Sequence, residues 1–320
     1  MMIAAVGLAA YCLLDVAISA LVAIAWRSRA IAPIDLPPAT RARRLFALRL
    51  VPAVIATLLT LAIVLPAFMA YEPIQSSEAI GPALVILAIA ALTQLAAGVS
   101  SALWRAALTF RVERQLRRCT LRVSDRDQLE TVIVDSPVPF VALVGVFRPR
   151  LIASANVMDS CDAAEVGHIV AHERGHLQAR DNLRRWLMSS MPDMLRWTSI
   201  DREIVDAWHH AAEDAADDAA TGSDPEARAD LAALLLKVVR LTPHRAWPAA
   251  IVSPFVEDDH GLERRVRRLL KEEREEPAPL ALMPLAAMGC IVVASITILA
   301  SPAALEIIFD VFEGLVAFGR

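Results

Sequence analysis

The sequence predicts an α-helical integral membrane protein of four transmembrane helices that carries an α+β domain on the cytoplasmic side. Three observations lead there. Four apolar stretches are long enough to cross a bilayer as helices, which takes about 20 residues each. Arginines crowd alternate loops between those stretches, as the positive-inside rule requires. A long polar segment between the third and fourth stretches mixes strand-like and helix-like patterns and contains His172-Glu173-Arg174-Gly175-His176.

The four apolar stretches run over Ile3–Trp26, Leu45–Ala70, Ile80–Leu103 and Leu280–Leu299. The first has no basic leader and exceeds the core of a signal peptide, so it is expected to stay in the chain as a span. Arg27, Arg29, Arg41, Arg43 and Arg44 follow it, whereas the next loop has Glu72 and Glu78 and no basic residue. Arg105, Arg111, Arg114, Arg117 and Arg118 follow the third stretch, and only Arg320 follows the fourth. Both termini are therefore expected outside, with the first loop and the large domain in the cytoplasm. This divides the chain into a three-helix membrane region (1–103), a cytoplasmic domain (104–279), and a fourth span with a short outer tail (280–320).

Asp15 and Gln94 stand inside apolar stretches, where a polar group faces a bundle interior or a cavity. Asp15 reads equally as part of a signal-receiving element and as a hydrogen-bonded packing residue. Pro52, Pro66 and Pro284 can kink spans without breaking them. The net charge of −4 offers no electrostatic case for nucleic-acid binding. Cys12, Cys119, Cys161 and Cys290 are scattered without metal-type spacing, so no disulfide framework is expected.

In the domain, Leu121-Arg122-Val123, Thr131–Val134, Val138–Val146 and Leu151-Ile152-Ala153 read as strands of a small antiparallel sheet. The stretch Phe140–Gly145 is a candidate edge for an extended peptide, and equally an ordinary core strand. Asp162-Ala163-Ala164-Glu165 is a capping box opening a helix over Ala163–Met188. Asp201–Ala220 forms a second helix closed by Gly222. Asp224-Pro225 opens a third that stops at about Leu241. Glu257–Glu275 forms a fourth, whose arginine-rich run Leu262–Leu270 reads as a solvated face touching anionic lipid. The tail Ala303–Arg320 is expected on the outer leaflet.

Histidines at i and i+4 project from one helix face, so His172 and His176 can bind one Zn²⁺ from a single rigid element. Glu173 beside them can take a proton from water, which implies metal-dependent peptide hydrolysis. A third ligand must come from elsewhere. The second helix offers His209, His210, Glu213, Asp214, Asp217 and Asp218, with His209, Glu213 and Asp217 on one face.

His172-Glu173-Arg174-Gly175-His176-Leu177-Gln178-Ala179-Arg180-Asp181 resembles the H-E-x-x-H-x-x-x-x-D signature of membrane gluzincins, and Glu213-Asp214-Ala215-Ala216-Asp217 resembles their downstream E-x-x-[AC]-D motif. The chain is most similar to the BlaR/MecR-type regulatory peptidases. That resemblance covers the first three spans, the Ser136–Ala155 strands with Arg148-Pro149, both metal motifs, the Leu262–Leu270 helix and the fourth span. It implies a gluzincin-like zinc peptidase domain with His172, His176 and Glu213 as ligands, Glu173 as catalytic base, and Asp217 holding a ligand histidine by its other ring nitrogen. Asp181 would be structural or a further partner of the ligands. His209 or His210 would stabilise the oxyanion, with His210 taken as the candidate, and His168 would line the cleft or stand in solvent rather than bind the metal.

Two departures stand out. The family commonly has arginine shortly before the downstream glutamate, where this chain has His209-His210. The β-lactam-binding outer domain of the best-known members is not matched, so the resemblance carries no expectation of antibiotic sensing. The function implied is a zinc endopeptidase of the bacterial inner or plasma membrane that cleaves a cytoplasmic protein, by resemblance a winged-helix repressor. Besides that substrate, the expected partners are the bilayer and a second copy of the chain, with no direct contact to nucleic acid. The alternatives are an HtpX-like quality-control protease and a catalytically silent receptor or scaffold.

Overall fold

Three long helices organise the molecule. The computed structural model describes residues 2–29, 36–71, 81–118, 120–126, 129–136, 140–241, 259–271 and 314. Helix α1 is Met2–Arg27 and α2 is Pro38–Leu59, which continues through a π-helical turn, Thr60–Val64, into α3, Leu65–Tyr71. Helix α4 is Pro82–Arg118. Three stretches, Met2–Arg27, Pro38–Ala70 and Pro82–Arg118, are long and apolar enough to cross a membrane. The expected fourth span and, apart from Gly314, the tail from Ala303 lie outside the described residues. Pro66 accounts for the π turn, because it has no N–H to give the carbonyl four residues back. The ladder widens just before it, with the Leu65 N–H bonded to the Thr60 carbonyl.

At 37 residues, α4 is about 55 Å long, against a hydrocarbon core of about 30 Å. Its charge-free stretch ends at Trp104, and its basic last turns precede the sheet. Strands β1 (Thr120–Arg126), β2 (Leu129–Val134), β3 (Val141–Val144) and β4 (Arg150–Ser154) lie in the order β1-β2-β4-β3. This corrects the expectation of an antiparallel sheet: β2 and β4 are parallel, while β1–β2 and β3–β4 are antiparallel. After β2 the chain passes to the edge, runs back as β3, and turns inward so that β4 slots beside β2. The inward turn needs Gly145, whose φ of 116° suits no side chain and whose Cβ would meet the Arg148 carbonyl at 3.0 Å.

Helices α5 (Ala155–Ser160), α6 (Ala163–Ala179), α7 (Asp181–Ser190), α8 (Ser199–Thr221), α9 (Pro225–Leu241) and α10 (Asp259–Leu269) follow, with a 3₁₀ turn, Met194–Trp197, before α8. One sheet face packs Val141, Leu143 and Leu151 against Ile169 of α6 and Leu231 and Leu235 of α9. A second core joins the membrane helices to the domain: Val22 of α1 and Leu45 of α2 pack with Met188, Ile204 and the fully buried Trp208.

Buried polar contacts fix that junction. Arg49 of α2 pairs with Asp193 at 2.7 Å and also with Asp201. The Asp15 carboxylate accepts the Met194 N–H at 2.8 Å and lies near Gln94 Nε2 at 3.4 Å and Ser19 Oγ at 3.5 Å. The Tyr11 hydroxyl donates to the Pro192 carbonyl. Asp15 is thus a packing partner of the α7–α8 connection, as an acid within a span must be to escape the cost of isolation. Cys12 and Cys161 are free thiols.

Candidate metal centre

Helix α6 begins where its capping box sets it. The Asp162 side chain accepts the Glu165 N–H and the Glu165 side chain accepts the Asp162 N–H, each at 2.9 Å. The single helix expected over Ala163–Met188 is instead two. Arg180 adopts a left-handed conformation, φ 55° and ψ 42°, ends α6, and redirects the chain into α7. The break has a use, because it brings Asp181 back onto His176, with Oδ2 2.8 Å from Nδ1.

Gly175, inside the H-E-x-x-H motif, lets α8 come close. A Cβ there would stand 3.1 Å from Ala216 Cα and 3.3 Å from Ala219 Cβ. The approach delivers Glu213 to the histidines. Ligand atoms of His172, His176 and Glu213 lie within 4.8 Å of one another, and all three residues are buried. His172 Nε2 and His176 Nε2 are 3.1 Å apart, and each is 3.5 Å from a Glu213 carboxylate oxygen.

Each imidazole has a second carboxylate on its other nitrogen. His172 Nδ1 is 3.0 Å from Asp217 Oδ1, and His176 Nδ1 faces Asp181. With each Nδ1 carrying the proton and donating it in a hydrogen bond to its carboxylate, both Nε2 atoms present lone pairs to the same point as Glu213. Two neutral imidazoles and a carboxylate with lone pairs converging in a buried space fit a divalent cation such as zinc.

The arginine run of α10 is not a solvated face where it meets α8. Arg265 is fully buried and grips Asp217 with two nitrogens, at 2.9 and 2.6 Å, while a third lies 3.0 Å from Glu213 Oε2. Arg264 pairs with Asp214 at 2.6 Å, and Asp214 also takes Arg41 of α2 at 2.7 Å. Arg268 pairs with Asp218. Helical spacing puts Arg264 and Arg268 along the same flank, one turn apart, opposite successive acids of α8.

Without a metal ion the surrounding carboxylates favour a proton on His176, which a divalent cation must displace to reach its Nε2. Burial alone would push His176 down, but the Glu213 and Asp181 carboxylates overcome it and hold the imidazole up at about 10. Burial works against the Glu213 charge, yet His176 and Arg265 hold its carboxyl well below the usual range. Burial raises Glu173. Its Oε2 makes no hydrogen bond among the described residues.

His209 lies near the cluster. Burial and then Arg185, whose Nη2 is 3.4 Å from His209 Nδ1, push it down to about 3. His210 is half-buried, and its carbonyl receives Arg264 Nη2 at 3.4 Å. His168 is half-buried one turn before His172 and outside the ligand group. β3 is an edge strand of the described sheet, and on its outer side Asn182 Nδ2 donates to the carbonyls of Leu143 and Gly145 at 2.9 Å each.

Three helices of bilayer-crossing length and a buried His–His–Glu group beside a motif glutamate describe a membrane-associated metallopeptidase. The chain belongs to the BlaR1 peptidase M56 family, whose profile matches residues 9–269. No individually curated protein matches it.

Proposed function

We propose that this chain is a zinc-dependent endopeptidase with its site on the cytoplasmic side, and that it cleaves a cytoplasmic transcriptional repressor as a step in signal transduction. The observation that carries the hydrolytic reading is the convergence of both Nε2 atoms and Glu213 beside a buried Glu173 oxygen that makes no hydrogen bond among the described residues. The arginines at the end of α1 and the start of α2, and those on the last turns of α4, support the orientation. The resemblance to BlaR/MecR-type regulatory peptidases supports a repressor as the substrate.

His172, His176 and Glu213 would hold the zinc, which supplies a Lewis acid that polarises the scissile carbonyl and lowers the pKa of water. Glu173 takes the proton of the attacking water and passes it to the leaving amine. Asp217 and Asp181 hold the two imidazoles in the tautomer that leaves Nε2 free of a proton. The oxyanion donor comes from the α8 side of the cleft, where His210 and the adjoining His209–Arg185 pair stand. An extended substrate lies along the outer edge of β3 once Asn182 yields the two carbonyls it holds.

Purified chain and its Glu173→Gln variant, each incubated with a repressor encoded beside its gene, test the reading. Cleavage at one site by the first and not the second is expected. Broad cleavage of unfolded proteins by the wild type would turn the assignment to quality control, and absence of cleavage by both would sink the peptidase reading. A separate prediction concerns Asp181. Asp181→Asn removes the acceptor on His176 Nδ1 and is expected to weaken zinc binding by roughly 10–100-fold. Competition with a chromophoric chelator measures it, and unchanged affinity would show that Asp181 does not orient His176.

A further inference from the structure

A second site lies on the opposite face of the sheet from α6. Between the last turns of α4 and this outer face is a cavity of about 540 Å³. Val132, Val144 and Ile152 form its floor, and Phe110, Leu116 and Trp186 form much of its wall. Among the described residues that line it are three arginines, Arg117, Arg148 and Arg150, and one carboxylate, Glu113. It therefore joins an apolar interior to a positively charged margin.

Its place along α4 decides what it can hold. The helix is free of charge from Pro82 to Trp104 and then becomes basic, so it leaves the bilayer near Trp104, an exposed interfacial aromatic. The cavity begins at Ala106, about 3 Å further along the axis, and reaches Arg117 about 17 Å beyond that. Phe110 and Phe147 are 69% and 75% exposed beside it, and Phe147 packs edge-on against Trp186 at 5.8 Å. Large apolar side chains left open next to a membrane exit mark a surface that meets something apolar.

A hydrocarbon chain fits this space better than a peptide. The floor is the face of the sheet, where no backbone edge is offered, so peptide amides lying on it would be desolvated without partners. An acyl chain carries no such groups, and an anionic headgroup answers arginines at the margin. We propose that the cavity takes one acyl chain of an anionic phospholipid from the leaflet at which α4 leaves the membrane, with the headgroup phosphate on Arg148 and Arg150. The inference depends on α4 being a span and is independent of peptidase activity.

Full-length protein in phosphatidylcholine nanodiscs, doped with phosphatidylglycerol carrying a photoactivatable diazirine at the acyl terminus, tests it. Label is expected on peptides containing Val144 and Ile152 as well as on α1, α2 and α4. The same diazirine on phosphatidylcholine is expected to mark the helices alone. Thr109→Trp, which fills the cavity from half-buried Thr109 of α4, should abolish label on the sheet. Arg148→Glu with Arg150→Glu should reduce it by roughly tenfold or more. In both variants undiminished label on the helices and unchanged zinc content report an intact fold. Phosphatidylglycerol label confined to the helices would overturn the proposal, as would equal labelling of the sheet by both lipids or sheet label that survives Thr109→Trp.

Discussion

Glu173→Gln is expected to lower peptide hydrolysis by roughly 10²–10⁴-fold while leaving zinc in place. The reasoning is geometric. Glu173 stands one residue from His172 on α6, buried, and is not a member of the His172–His176–Glu213 ligand group. Gln keeps its shape and loses only the capacity to take a proton. A merely structural Glu173 would show a different pattern, since an isosteric amide would leave turnover within a few-fold. Measuring kcat on a cleavable peptide beside zinc content in the same preparation separates the two. Loss of both together would show that the substitution had damaged the metal site rather than removed a base.

Arg265→Met is the other large effect. Arg265 pairs with both Glu213 and Asp217, and the three side chains are almost wholly buried. Removing one partner of a buried pair leaves charge without compensation and costs about 3–5 kcal/mol. In the zinc-free protein that corresponds to a Tm lowered by roughly 6–20 °C. Added zinc should recover part of the loss, because a cation among the same carboxylates stabilises the folded state by mass action. Arg267 is the control from the same helix. It is 78% exposed and pairs, among the described residues, with Glu263, itself 57% exposed, so Arg267→Met should change Tm little. Equal thermal curves for the two variants would mean that the buried pair does not stabilise the domain.

How much of this was legible in the sequence depended on how local each signal was. His172, Glu173 and His176 declare themselves within five residues, because helical periodicity alone puts both histidines on one face. The capping box at Asp162 and the α9 start at Asp224-Pro225 are equally local, and the structure has both. The residues alone could not choose Glu213 from six candidates on α8. The choice came from the family motif, and the close approach at Gly175 supplies its physical cause.

Other features were hidden because they are tertiary. A non-glycine residue in left-handed conformation carries no sequence signal, so the break at Arg180 was invisible. The parallel β2–β4 pair depends on where the chain re-enters the sheet, which strand patterns do not encode. Arg265 sat in a run of charge that reads as solvated. Only the facing carboxylates of α8, some 50 positions earlier in the chain, turn that run inward.

The central claim is that His172, His176 and Glu213 form a zinc site, and elemental mass spectrometry of detergent-purified protein tests it most directly. Wild type beside Glu213→Ala is the comparison. About one zinc per chain is expected in the wild type, with most of it lost in the variant. A wild type that takes up no zinc even after reconstitution, or a variant that keeps it in full, would contradict the account.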